Sequence, residues 1–301
     1  MKAFVRLATF AAAMLATYSA PLHAQDSFEP YAEVEARGVH SDRAVVDGDS
    51  IEASGAGAAF DTGFVWRGGR TAVQFDLGAE IFEFDDDERG TRTSFRLAGE
   101  ISREIVPDVT VAIAAGRWDD ITTLEARRTD QKAVALSLAY ENEPHRLHTS
   151  LQYREREYEA AIRSTGSGMR YDADYTYRLG SWHWARLDLR SEDIDSDDSR
   201  RDYERYTARA SYSVPLDDAK LWRLRPQIES RIWEYDERTA SGDARIARRK
   251  DSYVSPEIGV AYGRLRGMRA RLRAAYQFRT SNDPRHRGDA PYLDLRIGYR
   301  F

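Results

Sequence analysis

The sequence has no cysteine. Disulfide staples, thiolate metal sites, cysteine nucleophiles and a lipid-modified N-terminal cysteine are therefore excluded. Lysine is nearly missing too: of 45 basic residues only Lys2, Lys132, Lys220 and Lys250 are lysine, so arginine carries the positive charge. Beyond the first 25 residues no run approaches the roughly 20 consecutive apolar residues of a membrane helix. Neither sign of charge dominates. The 45 basic and 50 acidic residues are interspersed, with a net charge of -5, which leaves no basic face for nucleic acid. A mean hydropathy of -0.66 over 301 residues would by itself suit an ordinary soluble protein.

The first segment reads as an export signal. Lys2 and Arg6 precede an apolar run from Leu7 to Ala20, and Pro21-Leu22-His23-Ala24 ends in a small residue. This is the layout of a secretory signal peptide over residues 1–24, with cleavage after Ala24 and a mature chain from 25 to 301.

The mature chain alternates. In Val73-Gln74-Phe75-Asp76-Leu77-Gly78-Ala79-Glu80-Ile81 every odd residue is apolar and every even one is polar or small. Thr93 to Ile101 and Leu293 to Phe301 repeat the pattern. A side-chain period of two is the signature of a strand, because successive Cβ atoms point to opposite faces. The pattern predicts fourteen strands, at 28–39, 56–67, 70–84, 91–103, 108–118, 131–141, 146–158, 168–179, 182–192, 203–214, 221–235, 251–263, 268–280 and 290–301. In the ninth, Trp182 and Trp184 conflict with the parity of Leu187 and Leu189, which a bulge would reconcile.

Connections after even-numbered strands are short, such as Gly68-Gly69 and Gly180. Those after odd-numbered strands are longer and more polar, such as 40–55 and 236–250. Alternation of short and long connections is what an antiparallel up-and-down transmembrane β-barrel produces, with tight periplasmic turns and longer outer loops. An even strand count brings both ends of the chain to the periplasm. A soluble sandwich could show a similar alternation, but two features favour the membrane. Aromatics recur on the apolar parity beside the short turns, at Trp66, Tyr140, Tyr177, Trp222, Tyr262 and Tyr299, as an interfacial girdle. The last strand ends in Tyr299 and Phe301, similar to the terminal insertion signal of bacterial outer-membrane barrels. That similarity implies recognition by the barrel-assembly machinery. The fold class expected is thus all-β, a closed barrel in outer-membrane lipid and lipopolysaccharide.

The other parity faces the lumen and is charged. Its acids include Asp76, Glu80 and Glu100. Its bases concentrate in the second half, at Arg223, Arg225, Arg231, Arg269, Arg271, Arg273 and Arg296. Same-face neighbours along a strand lie about 7 Å apart, so Arg269, Arg271 and Arg273 form a ladder. Two roles stay open for these arginines: pairing with inward carboxylates to brace the wall, or passing small polar or anionic solutes between planar donor forks. Fourteen strands should leave room for water and small solutes unless loops or side chains obstruct the lumen.

Nothing calls for a cofactor. Gly-x-Ser-x-Gly, His-Glu-x-x-His and phosphate-loop motifs are missing. His148 and Ser150 share an inward face, but a spacing of two in one strand is not by itself a nucleophile–base geometry. Asp85 to Asp87 with His40 or His286 would be the acid and histidine of a barrel protease. Acidic stretches at Asp85 to Glu88 and Asp193 to Asp198 read as a solvated rim, or as a divalent-cation site bridging lipopolysaccharide.

Fourteen strands without a plug domain resemble the monomeric OmpG-type porins. The resemblance also runs through Arg231-Ile232-Trp233, Tyr253 to Tyr262, Ala274-Ala275-Tyr276-Gln277-Phe278 and the aromatic-x-Phe end. It implies a monomer through which small hydrophilic solutes, saccharides included, diffuse passively. The arginine ladders are similar to those of acidic-oligosaccharide porins, which have fewer strands. The alternatives are a non-conducting barrel serving envelope assembly or polymer export, and an outer-membrane hydrolase.

Overall fold

The computed structural model describes residues 26–42, 44–46, 50–85, 90–123, 128–159, 163–241 and 247–301. The expected export segment and the acids Asp86, Asp87 and Glu88 lie outside the described residues. The strands run in order as β1 (Asp26–Ser41), β2 (Ala44–Val46), β3 (Ser50–Glu52), β4 (Gly55–Gly68) and β5 (Thr71–Phe84). Next come β6 (Thr91–Val106), β7 (Val109–Ile121), β8 (Arg128–Asn142), β9 (His145–Glu159), β10 (Ser164–Gly180) and β11 (His183–Ser196). The chain finishes with β12 (Tyr203–Pro215), β13 (Trp222–Thr239), β14 (Arg248–Gly263), β15 (Gly267–Ser281) and β16 (Gly288–Arg300).

All strands except β2 and β3 form one closed antiparallel barrel, each paired with its neighbour in sequence. The ring shuts where Glu33 to Ser41 of β1 pair with Arg300 to Tyr292 of β16. The backbone N–H of Phe301 adds a bond to the Ala32 carbonyl (2.9 Å). Closure leaves no sheet edge, which a chain in lipid requires because no water is available to an unpaired backbone group. The fourteen expected strands are all present. Several run further at the long-loop end, as β10 and β11 do.

The outer face is the apolar parity. Ile101 and Ile113 are each 60% exposed and Leu136 55%. A continuous belt of such side chains would be untenable in water. In hydrocarbon each one is stabilised by roughly 1.5–3 kcal/mol. Tyr140, Tyr177, Trp222 and Tyr299 are exposed on this face beside the short turns, as the girdle requires.

Inside, the wall is latched where Tyr31 crosses Gly63: a Cβ there would lie 2.9 Å from the tyrosine oxygen, so only glycine fits beneath the ring. The Tyr31 hydroxyl donates to Asp76, and the Arg300 guanidinium stacks on its ring at 4.5 Å.

Two features of the fold were not expected. Within the loop at 40–55, β2 and β3 form a separate two-stranded hairpin. The long loops also contain 3₁₀ turns at Ser199–Arg201 and Pro284–His286, each capped by an aspartate, Asp198 and Asp283, whose carboxylate accepts backbone N–H bonds. Nor does the ninth expected strand have a parity conflict. β11 starts at His183 and Trp184 faces inward with Arg186 and Asp188, while Trp182 lies in the preceding turn at φ 64°. The register shift falls on the partner strand, between Arg178 and Gly180.

Candidate functional site: the arginine-lined lumen

The inward parity is as expected, but what it lines differs at three levels. At the long-loop end it lines almost nothing, because the lumen is filled. Arg154, Arg156, Arg205, Arg231, Tyr158, Tyr203, Trp233, Tyr235 and Tyr253 are all at most 1% exposed. Buried arginines demand counter-charge. Glu192 stands between Arg154 (3.5 Å) and Arg205, and Glu229 pairs with Arg209 and Arg231. The guanidinium of Arg205 also stacks on Trp233 at 4.4 Å.

The hairpin completes the filling. Val45 packs into the cluster of Ile194, Tyr203, Trp233, Tyr235 and Tyr253 on one wall. Ala44 packs with Val39, Phe82 and Tyr292 on the opposite one. The Val45 N–H donates to Gln277 Oε1 (3.1 Å), and its carbonyl accepts from Gln277 Nε2 (2.8 Å) and Arg231 Nη1 (3.2 Å). Glu52 of β3 is ion-paired to Arg37 at 3.1 Å. The gap left beside the hairpin, between Val45, Arg209 and Glu257, is about 30 Å³. That gap has room for a water or two.

Midway along the barrel a cavity of about 370 Å³ opens against β9 to β12, within the size range of small-molecule sites. Arg170, Arg186, Arg190 and Arg209 line it with Asp172, Asp174, Asp188 and His148. Asp172 pairs with Arg170 (2.6 Å) and Arg190 (2.7 Å), and Asp174 with His148 (3.2 Å) and Arg186 (3.3 Å). Ser150 shares the cavity, but no hydrogen bond joins it to His148 among the described residues, so the pair lacks the contact a nucleophile and its base need. His40 sits against Ser54 (3.3 Å) and His286 beside Arg279 (3.3 Å). Burial and the cations Arg249 and Arg279 hold the His286 imidazole below its ordinary pKa, the opposite of what a carboxylate partner would do.

Nearer the short turns lies the expected ladder. Arg269 is tied to Glu33 (2.7 Å), Arg273 to Asp294 (3.0 Å) and the Tyr292 hydroxyl (2.7 Å), and Arg296 to Asp294 (3.0 Å) and Glu35 (3.5 Å). Arg271 lies in one cross-strand row with Arg296 and Arg37. Asp76 accepts from Tyr31 and from Gln74 (2.8 Å), and Glu80 pairs with Arg92 (3.3 Å) and Arg37 (3.7 Å). Glu100 is exposed to the lumen with no ion pair among the described residues. Arg223 and Arg225 differ from Arg269, Arg273 and Arg296. Among the described residues no carboxylate pairs with either, and they stack on Trp182 (4.2 Å) and Trp184 (5.9 Å). Tyr299 and Phe301 stand outside, 47% and 62% exposed, with ring centroids 4.8 Å apart. The rim acids Asp193, Asp195 and Asp197 share β11's outward face or its end, and among the described residues no acid or histidine cluster is arranged to hold a metal.

The sequence held signals for what its reading missed. Ala44-Val45-Val46 is an apolar triplet in a polar loop, and Arg37 continues the face of Glu33 and Glu35.

No family model matches the chain, and no curated protein matches it. Solved structures share its fold. Outer-membrane expressed OmpT of Vibrio cholerae aligns with a TM-score of 0.55 at 10% identity, over 94% of this chain and 100% of its own. The outer membrane channel DcaP of Acinetobacter baumannii aligns at 0.53 and 10%, over 94% and 99%. A bacterial polysaccharide outer membrane secretin aligns at 0.53 and 9%, over 93% and 100%. The closed ring, its apolar belt and these likenesses define a transmembrane β-barrel of the bacterial outer-membrane type. Within that class, this barrel has a lumen lined with arginine and an inserted hairpin.

Proposed function

We infer that this chain is an outer-membrane diffusion channel for small hydrophilic solutes, narrow at its outer end and leaning toward anions. The observation that carries the reading is the charged cavity of about 370 Å³ in mid-lumen, with four arginines against three aspartates. Such a lumen stabilises water and polar solutes inside a membrane and focuses anions electrostatically. DcaP, with a like fold, is described as a channel. The chain works as a monomer, held by lipid and lipopolysaccharide, and the terminal Tyr299 and Phe301 serve its insertion by the barrel-assembly machinery.

A second reading, a non-conducting barrel that serves envelope assembly or polymer export, is favoured by the hairpin that Gln277 and Arg231 hold in the lumen. Planar-bilayer recording separates the two. Stable ion steps with a reversal potential shifted toward chloride support the channel. Silence from folded protein, both intact and after removal of residues 44–52, supports the scaffold.

A further inference from the structure

We propose that the short-turn end of the lumen holds a discrete oxyanion site, in which Arg223 and Arg225, backed by Trp182 and Trp184, take the carboxylate or phosphate group of a small solute. The proposal deepens the channel reading and rests on it for the solute's route.

Arg223 and Arg225 are neighbours on the inward face of β13, roughly 7 Å apart along the strand. Two cations so placed repel each other, and in the same lumen Arg269, Arg273 and Arg296 are answered by acids. Among the described residues Arg223 and Arg225 are not. The charged groups that act on Arg223 are Arg225 and Arg269, both cationic, and Asp217 in the adjoining turn; on Arg225 it is Arg269. Arg269 is itself taken by Glu33. Arg223 is only 6% exposed, yet among the described residues its Nε and Nη1 have no acceptor, and neither has Nε of Arg225. A buried donor without an acceptor is costly. The indoles compensate in part, since a guanidinium over a ring face gains about 0.5–2 kcal/mol. That contact uses the flat face of the group. The N–H edges, whose geometry matches an oxyanion in the plane of the fork, are left without an acceptor among the described residues.

Trp182 gives an independent sign that this corner is built. It sits at φ 64°, a left-handed conformation that a bulky side chain adopts only under strain. The equivalent turn between β4 and β5 uses Gly69 at φ 58° instead. Glycine would have been free of strain at 182 as well, but it has no indole to lay over Arg223. The buried Ser213 hydroxyl donates to the Trp182 carbonyl (2.9 Å) and fixes the turn.

Isothermal titration of the refolded chain in detergent micelles tests the site, with galacturonate, inorganic phosphate and uncharged galactose as probes. The expected result is saturable binding of galacturonate, phosphate or both, and none of galactose. Galacturonate alone would point to organic-acid solutes, phosphate alone to phosphorylated ones. The R223Q/R225Q variant should lose at least about tenfold in affinity, since charge-assisted contacts are removed. R225K keeps the charge and loses the planar fork, so it gives a second reading should the double variant not fold; it should weaken galacturonate more than phosphate. Unchanged affinity in these variants, or galactose bound as tightly as the anions, overturns the proposal. A protein that conducts but binds neither anion removes the site and keeps the channel. One that binds but never conducts does the reverse.

Discussion

Releasing the β2–β3 hairpin should widen the pore, and the structure says by how much one substitution can do it. Val45 is 2% exposed and held by three hydrogen bonds: its N–H donates to Gln277, and its carbonyl accepts from Gln277 and Arg231. Each of the two Gln277 bonds contributes about 0.5–1.5 kcal/mol, so Gln277→Ala removes about 2 kcal/mol in total. Every 1.4 kcal/mol is tenfold, which makes the seated form about thirtyfold less favoured against the released one. Arg231 and the apolar contacts of Val45 remain, so the hairpin should leave for short intervals and not permanently. Single-channel recording is the assay. The time share of a large-conductance level should rise about thirtyfold in Gln277→Ala and become continuous when residues 44–52 are deleted. Deletion that leaves the conductance of folded protein unchanged would refute the claim that this hairpin limits the lumen. An opened deletion form beside an unaltered Gln277→Ala would refute the hydrogen-bond latch alone.

Three further outcomes are expected. Glu192→Gln leaves the fully buried Arg154 and Arg205 without their shared counter-charge and should cost roughly 3–5 kcal/mol in urea unfolding from micelles; a loss below about 1 kcal/mol would contradict the pairing. Leu136→Arg puts a charge on the lipid face and should cost about 2–4 kcal/mol if the residue lies near the bilayer midplane, whereas no loss would place that face in water. Asp198 is pushed down to about 2, chiefly by hydrogen bonds from Arg200. A depressed carboxylate stabilises its folded turn above the unfolded value near 3.8 and loses that contribution as pH falls through about 2. Carboxyl NMR should therefore show Asp198 titrating near 2, and an ordinary midpoint would remove the cap.

The wall was legible because a strand in a barrel makes only one demand on sequence, an alternation with two faces. Val134, Leu136 and Leu138 on one parity and Ala133, Ala135 and Ser137 on the other are enough to place β8, and one register then carries to its neighbours. The filling of the lumen was not legible, because it depends on distances across the barrel that no periodicity encodes. Val45 meets Gln277 across more than two hundred residues of chain, and Arg37 meets Asp294 likewise. Which arginines lack a partner is also a three-dimensional fact. Arg273 and Arg223 look alike in sequence, yet the register puts Asp294 beside the first and Ala261 beside the second. The tryptophans that disturbed the alternation, Trp182 and Trp184, mark the place where the wall's pattern yields to the needs of the lumen.

The absence of native cysteine makes the decisive measurement simple. Single cysteines placed in turn at positions 97 to 102 of β6, in protein reconstituted into bilayers, can be challenged with a membrane-impermeant thiol reagent. Positions 98, 100 and 102 should react and 97, 99 and 101 should resist, in strict alternation. Uniform labelling, or reaction at the odd positions, would mean that Leu97 and Ile101 do not face lipid, and the wet, arginine-lined lumen would be lost with that.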